Sequence, residues 1–233
     1  MLKVWIADTT PLEDPEIFKR WLMRVPYDRK EKVLRIAAPE GRIRSLGAGA
    51  LLDTALIPLG LDRAETEISK YGKPYFKGRD DLYFNLSHSG NRAMLVLADH
   101  EVGCDVEQIR DTVASQKVAA HFFCEEEKAF IARAADEAEK RERFFRLWTL
   151  KESYIKATGR GLAEKLDMFC VQPPEERDGH ASLLRSKDPR PCGLHELAFD
   201  DDYCYAISVF GEHEKITALS FADLADVLHW PLP

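Results

Sequence analysis

Between Leu82 and Glu107 the chain runs through three apolar stretches, LYFNLSHS, RAMLVLAD and EVGCDVE, with Gly90 and Asn91 at the first junction. Their β-branched and aromatic content, and the turn residues between them, predict consecutive strands. A sheet therefore has to be the organising element of this region. Side chains alternate across a strand, so Asp105 and Glu107 share one face while Cys104 and Val106 turn to the other.

Around that sheet, MLKVWIAD reads as a first strand and TTPLEDPE as a turn into a helix from about Ile17. The segment DRKEKVLRIAAPEGRIRSLGAGALLDTALI carries helical apolar spacing in two pieces separated near Pro39 to Gly41. KYGKPYFKG reads as a loop. From Asp111 to about Phe145 the pattern is mainly helical, broken around HFFCEEEKAF and again at ADEAEKRER, and a further helix is expected from Thr149 to Gly159. LDMFCV is a strand candidate, followed by a polar excursion from Gln172 to Cys192. GLHELAFD, YCYAISVFG and EKITALS read as strands of a meander before an irregular HWPLP tail. YFNLSHSGNRAMLVLAD and CYAISVFGEHEKITALS echo each other, each a strand, a glycine-containing turn and a strand.

A formal net charge of -7 argues against a broad nucleic-acid track, since a reader of the phosphate backbone concentrates positive charge. Five cysteines without a CxxC pair suggest neither a zinc ribbon nor a disulfide framework, and free, partly buried thiols in a reducing compartment are expected. No stretch approaches membrane-spanning length and the start lacks a basic region followed by an apolar core, so a cytoplasmic protein is expected.

The acid pair of GCDVE suits a hard divalent cation, and it equally suits a solvent-facing strand end. Glu152 supplies a third carboxylate if its helix begins beside that strand. Thr149-Leu150-Lys151-Glu152 also fits a capping box, in which Glu152 would only satisfy its own helix start. His88, in NLSHSG, can hydrogen-bond a phosphate or act as acid or base, while Ser87 and Ser89 bind phosphate or organise a turn. Arg29, Lys32 and Arg44 suit a phosphorylated nucleotide if they converge, and an ordinary charged helix face if they do not. There is no GxxxxGK[ST] segment.

Together GKPYF, NLSHSG, GCDVE and WTLKESYIKATGRGL, in this order and spacing, resemble the 4'-phosphopantetheinyl transferases of the surfactin-synthetase-activating type. That resemblance implies an α/β fold of two similar pseudo-symmetric halves, each with a largely antiparallel sheet packed against helices. The halves would span residues 1–103 and 104–233, with the active site between them. The implied activity moves the phosphopantetheine arm of coenzyme A to a serine of an apo acyl, peptidyl or aryl carrier protein, releasing adenosine 3',5'-bisphosphate, in a monomer without nucleic acid or membrane. Asp105, Glu107 and Glu152 match the family's Mg²⁺ ligands and His88 the histidine at the pyrophosphate. Arg29, Lys32 and Arg44 match cations around the 3'-phosphate, Lys73 and Lys156 match further phosphate-contacting positions, and Ser87 is a candidate coenzyme A contact. In this scheme Glu152 takes the serine proton and Lys156 donates to the leaving phosphate. Glu127 matches the acid of an FFSxxE segment in which Cys124 replaces the serine, weakening that helix cap. Lys128 and Phe130 are candidates for the carrier surface. A metal-dependent phosphate-ester hydrolase, or a carrier and coenzyme A binding protein without chemistry, are the alternatives.

Overall fold

The computed structural model describes residues 1–61, 64–111, 119, 121–161, 165–211 and 218–225. In chain order it contains β1 (Leu2–Asp8), α1 (Pro15–Arg24), α2 (Tyr27–Arg35), α3 (Pro39–Leu56), β2 (Thr66–Ile68), β3 (Pro74–Phe76), β4 (Tyr83–Ser89), β5 (Arg92–Ala98) and β6 (Val102–Gln108). There follow α4 (Glu125–Ala132), α5 (Glu137–Thr158), β7 (Cys170–Gln172), β8 (Gly179–Arg185), β9 (Cys192–Leu197), β10 (Tyr203–Phe210) and β11 (Ala218–Ala222).

The strands form two main sheets, β11-β1-β5-β4 and β6-β10-β9-β8-β7, and a small β2-β3 ribbon. All pairings are antiparallel except β1 with β11. Leu2, Val4, Ile6, Met94, Val96 and Ala98 of the first sheet pack with Val102, Cys104, Val106, Tyr205, Ile207 and Val209 of the second in one dry layer. The alternate positions Ala7, Ala93, Leu95 and Leu97 face α1 and α3 residues such as Trp21, Leu46 and Leu51. Both faces of β5 are thus buried, which is why it reads as an unbroken apolar run. The outer face of the second sheet is covered by Phe130, Leu147, Leu150 and Tyr154 of α4 and α5. The result is an α/β fold of two sheet-and-helix halves with their seam between β4 and β6.

Several expectations are corrected. The break expected at ADEAEKRER falls on its first two residues, Ala135 and Asp136; the rest opens α5, which begins at Glu137 where the Asp136 carboxylate accepts from the Glu139 amide, well before the expected start at Thr149. Thr149 lies inside that helix, its hydroxyl donating to the Phe145 carbonyl at 2.6 Å, which removes the capping-box reading of Glu152. The GKPYF loop contains β3, and the polar excursion contains β8. β11 does not continue the meander. It runs parallel to β1 in the first sheet, so the two echoing segments are not equivalent hairpins and the chain returns to its first half at the end. Cys124 and Cys170 are joined in a disulfide, so the expectation of five free thiols fails. The HWPLP tail, the start of EKITALS and most of residues 112–120 lie outside the described residues.

Candidate active site

The strand β4 is laid against β6 by a ladder of polar contacts. The Asn85 carboxamide oxygen accepts from the Cys104 amide at 2.9 Å, the Ser87 hydroxyl donates to Asp105 at 2.8 Å, and the Ser89 hydroxyl donates to Glu107 at 2.7 Å. Period-two alternation places Asn85, Ser87 and Ser89 in line with the acids of GCDVE. Both serines thus orient carboxylates, and Ser87 also lines the cleft.

The third wall is α5. Gly103 makes it possible: a Cβ there would fall on the Ser153 carbonyl oxygen and the Ala157 amide nitrogen, so the helix backbone rests directly on β6. Trp148, Glu152 and Lys156 are spaced four apart and form one stripe. All three line a cleft of about 270 Å³ together with Leu86, Ser87, His88, Asp105 and Glu107. Lys151, one residue before Glu152, points the other way, as adjacent helical residues must. Fully buried, it donates to Glu127 at 2.7 Å and to the Phe169 carbonyl at 2.9 Å. The neighbouring charges of KES therefore divide into a structural cation and a cleft-lining acid.

The electrostatics of the cleft follow from crowding acids in a half-dry space. Burial, then the charge of Asp105, raises Glu152 from its ordinary 4.5 to about 7, with Lys156 opposing and Glu107 adding to the rise. Burial and Asp105 also raise Glu107, against hydrogen bonds from Ser89 and Trp148. Lys156 donates to Asp105 at 2.6 Å and to Ser87 at 2.8 Å. Burial alone would lower its pKa, but Asp105 and Glu152 outweigh that and raise it. His88 is lowered by burial and further by Lys156, Arg44 and Lys32, which places those three cations around it. Arg29 and Lys32 are lowered by burial, and Arg29 adds to the shift at Lys32. Among the described residues Arg29, Lys32 and Arg44 have no ion-pair partner. Gly49 lets α2 approach α3, since a Cβ there would meet the Arg29 side chain at 3.0 Å.

The oxygens of Asp105, Glu107 and Glu152 do not all come within 4.8 Å of one another, the spacing reached among the described residues by Cys124, Glu126 and Cys170. Oδ2 of Asp105 is nonetheless buried without a hydrogen-bond partner. Such an oxygen, flanked by two further acids, fits a cation donor set.

Two sequence candidates sit elsewhere. The Lys73 ammonium donates to the carbonyls of Val102 at 2.8 Å and Ala157 at 3.1 Å, closing the end of α5, and burial lowers its pKa to about 8. Lys73→Met is expected to cost about 1–2 kcal/mol of stability by leaving those carbonyls unpaired. An unchanged melting temperature would mean that Lys73 does not close the helix. Phe130 is a core residue beneath Arg133, Arg143 and Arg146, whereas Lys128 is on the surface, paired with Glu125. Trp148 was missed because a helix beginning at Thr149 excludes it. The four-residue spacing to Glu152 was the available signal.

Residues 101–208 match the family model described as the 4'-phosphopantetheinyl transferase superfamily. A curated 4'-phosphopantetheinyl transferase of Bacillus subtilis is 31% identical over 191 residues, covering 81% of this chain and 83% of its own. The 4'-phosphopantetheinyl transferase Sfp of Bacillus subtilis strain 168 is 29% identical over 211 residues, covering 88% and 92%. The solved holo-acyl-carrier-protein synthase of Thermotoga maritima aligns with 49% of this chain and 64% of its own, at 19% identity and a TM-score of 0.39.

Proposed function

The chain belongs to the 4'-phosphopantetheinyl transferase superfamily, and we propose that its cleft moves the phosphopantetheine arm of coenzyme A onto a serine of an apo carrier protein. Adenosine 3',5'-bisphosphate leaves. The observation that carries this reading is the meeting of Asp105, Glu107, Glu152, Lys156 and His88 on one cleft, two elements from the second half against one from the first.

Asp105, Glu107 and Glu152 would hold Mg²⁺, and the orphaned Asp105 oxygen supports that fit. When bound, such an ion supplies positive charge that offsets the pyrophosphate and its developing negative charge. The chain's own residues do the rest. Arg29, Lys32 and Arg44 bind the 3'-phosphate end, and His88 and Lys156 donate to the pyrophosphate. Together they present the β-phosphorus to the incoming serine, and this positioning supplies much of the rate. Glu152 takes the serine proton. Lys156 delivers a proton to the departing phosphate oxygen.

No helix among the described residues is long and apolar enough to cross a membrane. The reading is of a cytoplasmic monomer serving an acyl, peptidyl or aryl carrier, which would meet the exposed side of α4 near Lys128.

Incubation with coenzyme A, Mg²⁺ and an apo carrier should release adenosine 3',5'-bisphosphate in step with carrier modification. Release without carrier would instead mark a hydrolase. His88→Ala is expected to raise the KM for coenzyme A about tenfold, the worth of one hydrogen bond to a charged group, with kcat within a few fold. An unchanged KM would remove His88 from the pyrophosphate.

A further inference from the structure

Cys124 stands at the N-cap of α4 and Cys170 opens β7, 46 residues later, and the fold joins them with Cα atoms 6.0 Å apart. That distance is ordinary for a disulfide. Cys104, Cys192 and Cys204 remain free thiols. The bridge is reachable: Cys124 is partly exposed, and both cysteines line a cleft of about 240 Å³ with Asp167, Arg185, Ser186 and Lys187.

The bridge fastens two elements at a sensitive place. Directly beside it the Glu127 carboxylate accepts from the Cys124 amide at 2.9 Å, from the Val171 amide at 2.9 Å and from Lys151 at 2.7 Å. The backbone around each half of the bridge is thus tied to one acid, and that acid to the residue preceding Glu152. A second connection is aromatic. Phe123 stacks on Phe144 with centroids 5.6 Å apart, and Phe144 on Trp148 at 6.2 Å, which lines the active cleft.

We propose that Cys124 and Cys170 are a reversible thiol–disulfide switch, set by small-molecule disulfides, that fastens α4 to β7 behind the catalytic helix. The Cys124 thiolate attacks one sulfur of the oxidant and expels one thiolate. The Cys170 thiolate then attacks the Cys124 sulfur, breaks the mixed disulfide and expels the second. Two protein thiols are oxidised to one disulfide, the oxidant is reduced to two thiols, and these take up the two protons. A helix N-terminus favours the attacking thiolate. Glu126, which would oppose it, is held by both terminal nitrogens of Arg185, at 2.6 and 2.9 Å. In a reducing compartment such a pair is a sensor, not a permanent staple.

The test uses the whole protein with oxidised glutathione or dithiothreitol, denatured alkylation and thermal melting. The oxidised form should take three alkyl groups and the reduced form five, with Cys124 and Cys170 in one linked peptide. Oxidation should raise the melting temperature by roughly 5–10 °C. Cys124→Ser, which places a better N-cap on α4, should fold, keep the transfer kinetics of the reduced form whether or not oxidant is added, and lose both responses. Five alkyl groups after oxidant, a link to another cysteine, or a melting shift that survives Cys124→Ser would overturn the switch. So would stoichiometric zinc, removed by chelator, on the unbridged pair with Glu126. The effect on activity rests on the transferase reading: reduction should raise the KM for carrier at least about threefold, by loosening α4, without changing that for coenzyme A. Equal carrier KM values in the two forms would refute the coupling. No transfer in either form would count against the functional reading, with thiol count and melting still deciding the switch.

Discussion

Replacing Glu152 by glutamine is expected to remove transfer by a factor of about 10²–10³ or more while making the metal-free protein harder to melt at pH 8. The amide keeps the size of the side chain but accepts no proton and is a poor cation ligand. The stability gain follows from linkage. In the folded protein Glu152 titrates at about 7, above its ordinary 4.5, because burial and then Asp105 disfavour its charge, with Glu107 adding to the effect. Below pH 4.5 both states hold the proton and the site costs nothing. As pH rises toward 7 the unfolded chain ionises freely and the folded one does not, so the native state loses stability, with the full loss above pH 7. The upper limit is about 3 kcal/mol at about 1.4 kcal/mol per pH unit, and partial exposure reduces it to roughly 1–2 kcal/mol. Glu152→Gln should therefore melt roughly 3–6 °C higher at pH 8 and within about 1 °C of the parent at pH 4.5. Activity lost with stability gained is the signature of a residue kept for function. Equal or lower stability of the variant at pH 8 would mean that the acids are not crowded as described.

Gly103→Ala should do the reverse, losing structure and activity together. The new methyl would overlap the Ser153 carbonyl oxygen and the Ala157 amide nitrogen and stand 2.8 Å from the Lys156 carbonyl carbon. All three are helix backbone and cannot rotate aside, so α5 must lift from β6 or bend. Overpacking against backbone costs about 3 kcal/mol or more, and the melting temperature should fall by roughly 10 °C. Because α5 carries both Glu152 and Lys156 across this contact, a shift of about 1 Å should cost about 100-fold in transfer. Near-parental melting and turnover would show that helix and strand are not held this closely.

Much of the site was legible because it obeys short periods. The alternation in GCDVE put Asp105 and Glu107 on one face, and the structure aims both into the cleft with Cys104 and Val106 in the core. Gly103 beside them carries no side chain, and the backbone of α5 is what approaches there. What stayed hidden depends on long-range contacts. Nothing local says that Lys151 is buried against Glu127, that Lys73 closes a helix 84 residues away, or that Cys170 meets Cys124. The start of α5 was misplaced because its first turns are charged and solvent-facing, with the apolar pattern beginning only at Phe144. β11 was assigned to the wrong neighbour because strand pattern carries no information about which sheet edge will accept it.

The most direct measurement is the intact mass of an apo carrier protein after incubation with this chain, coenzyme A and Mg²⁺. The carrier should gain one phosphopantetheine arm on its serine, with no gain when that serine is alanine or when Glu152→Gln replaces the parent enzyme. A carrier of unchanged mass beside consumed coenzyme A, or full modification by the Glu152→Gln protein, would contradict the chemistry assigned to this cleft.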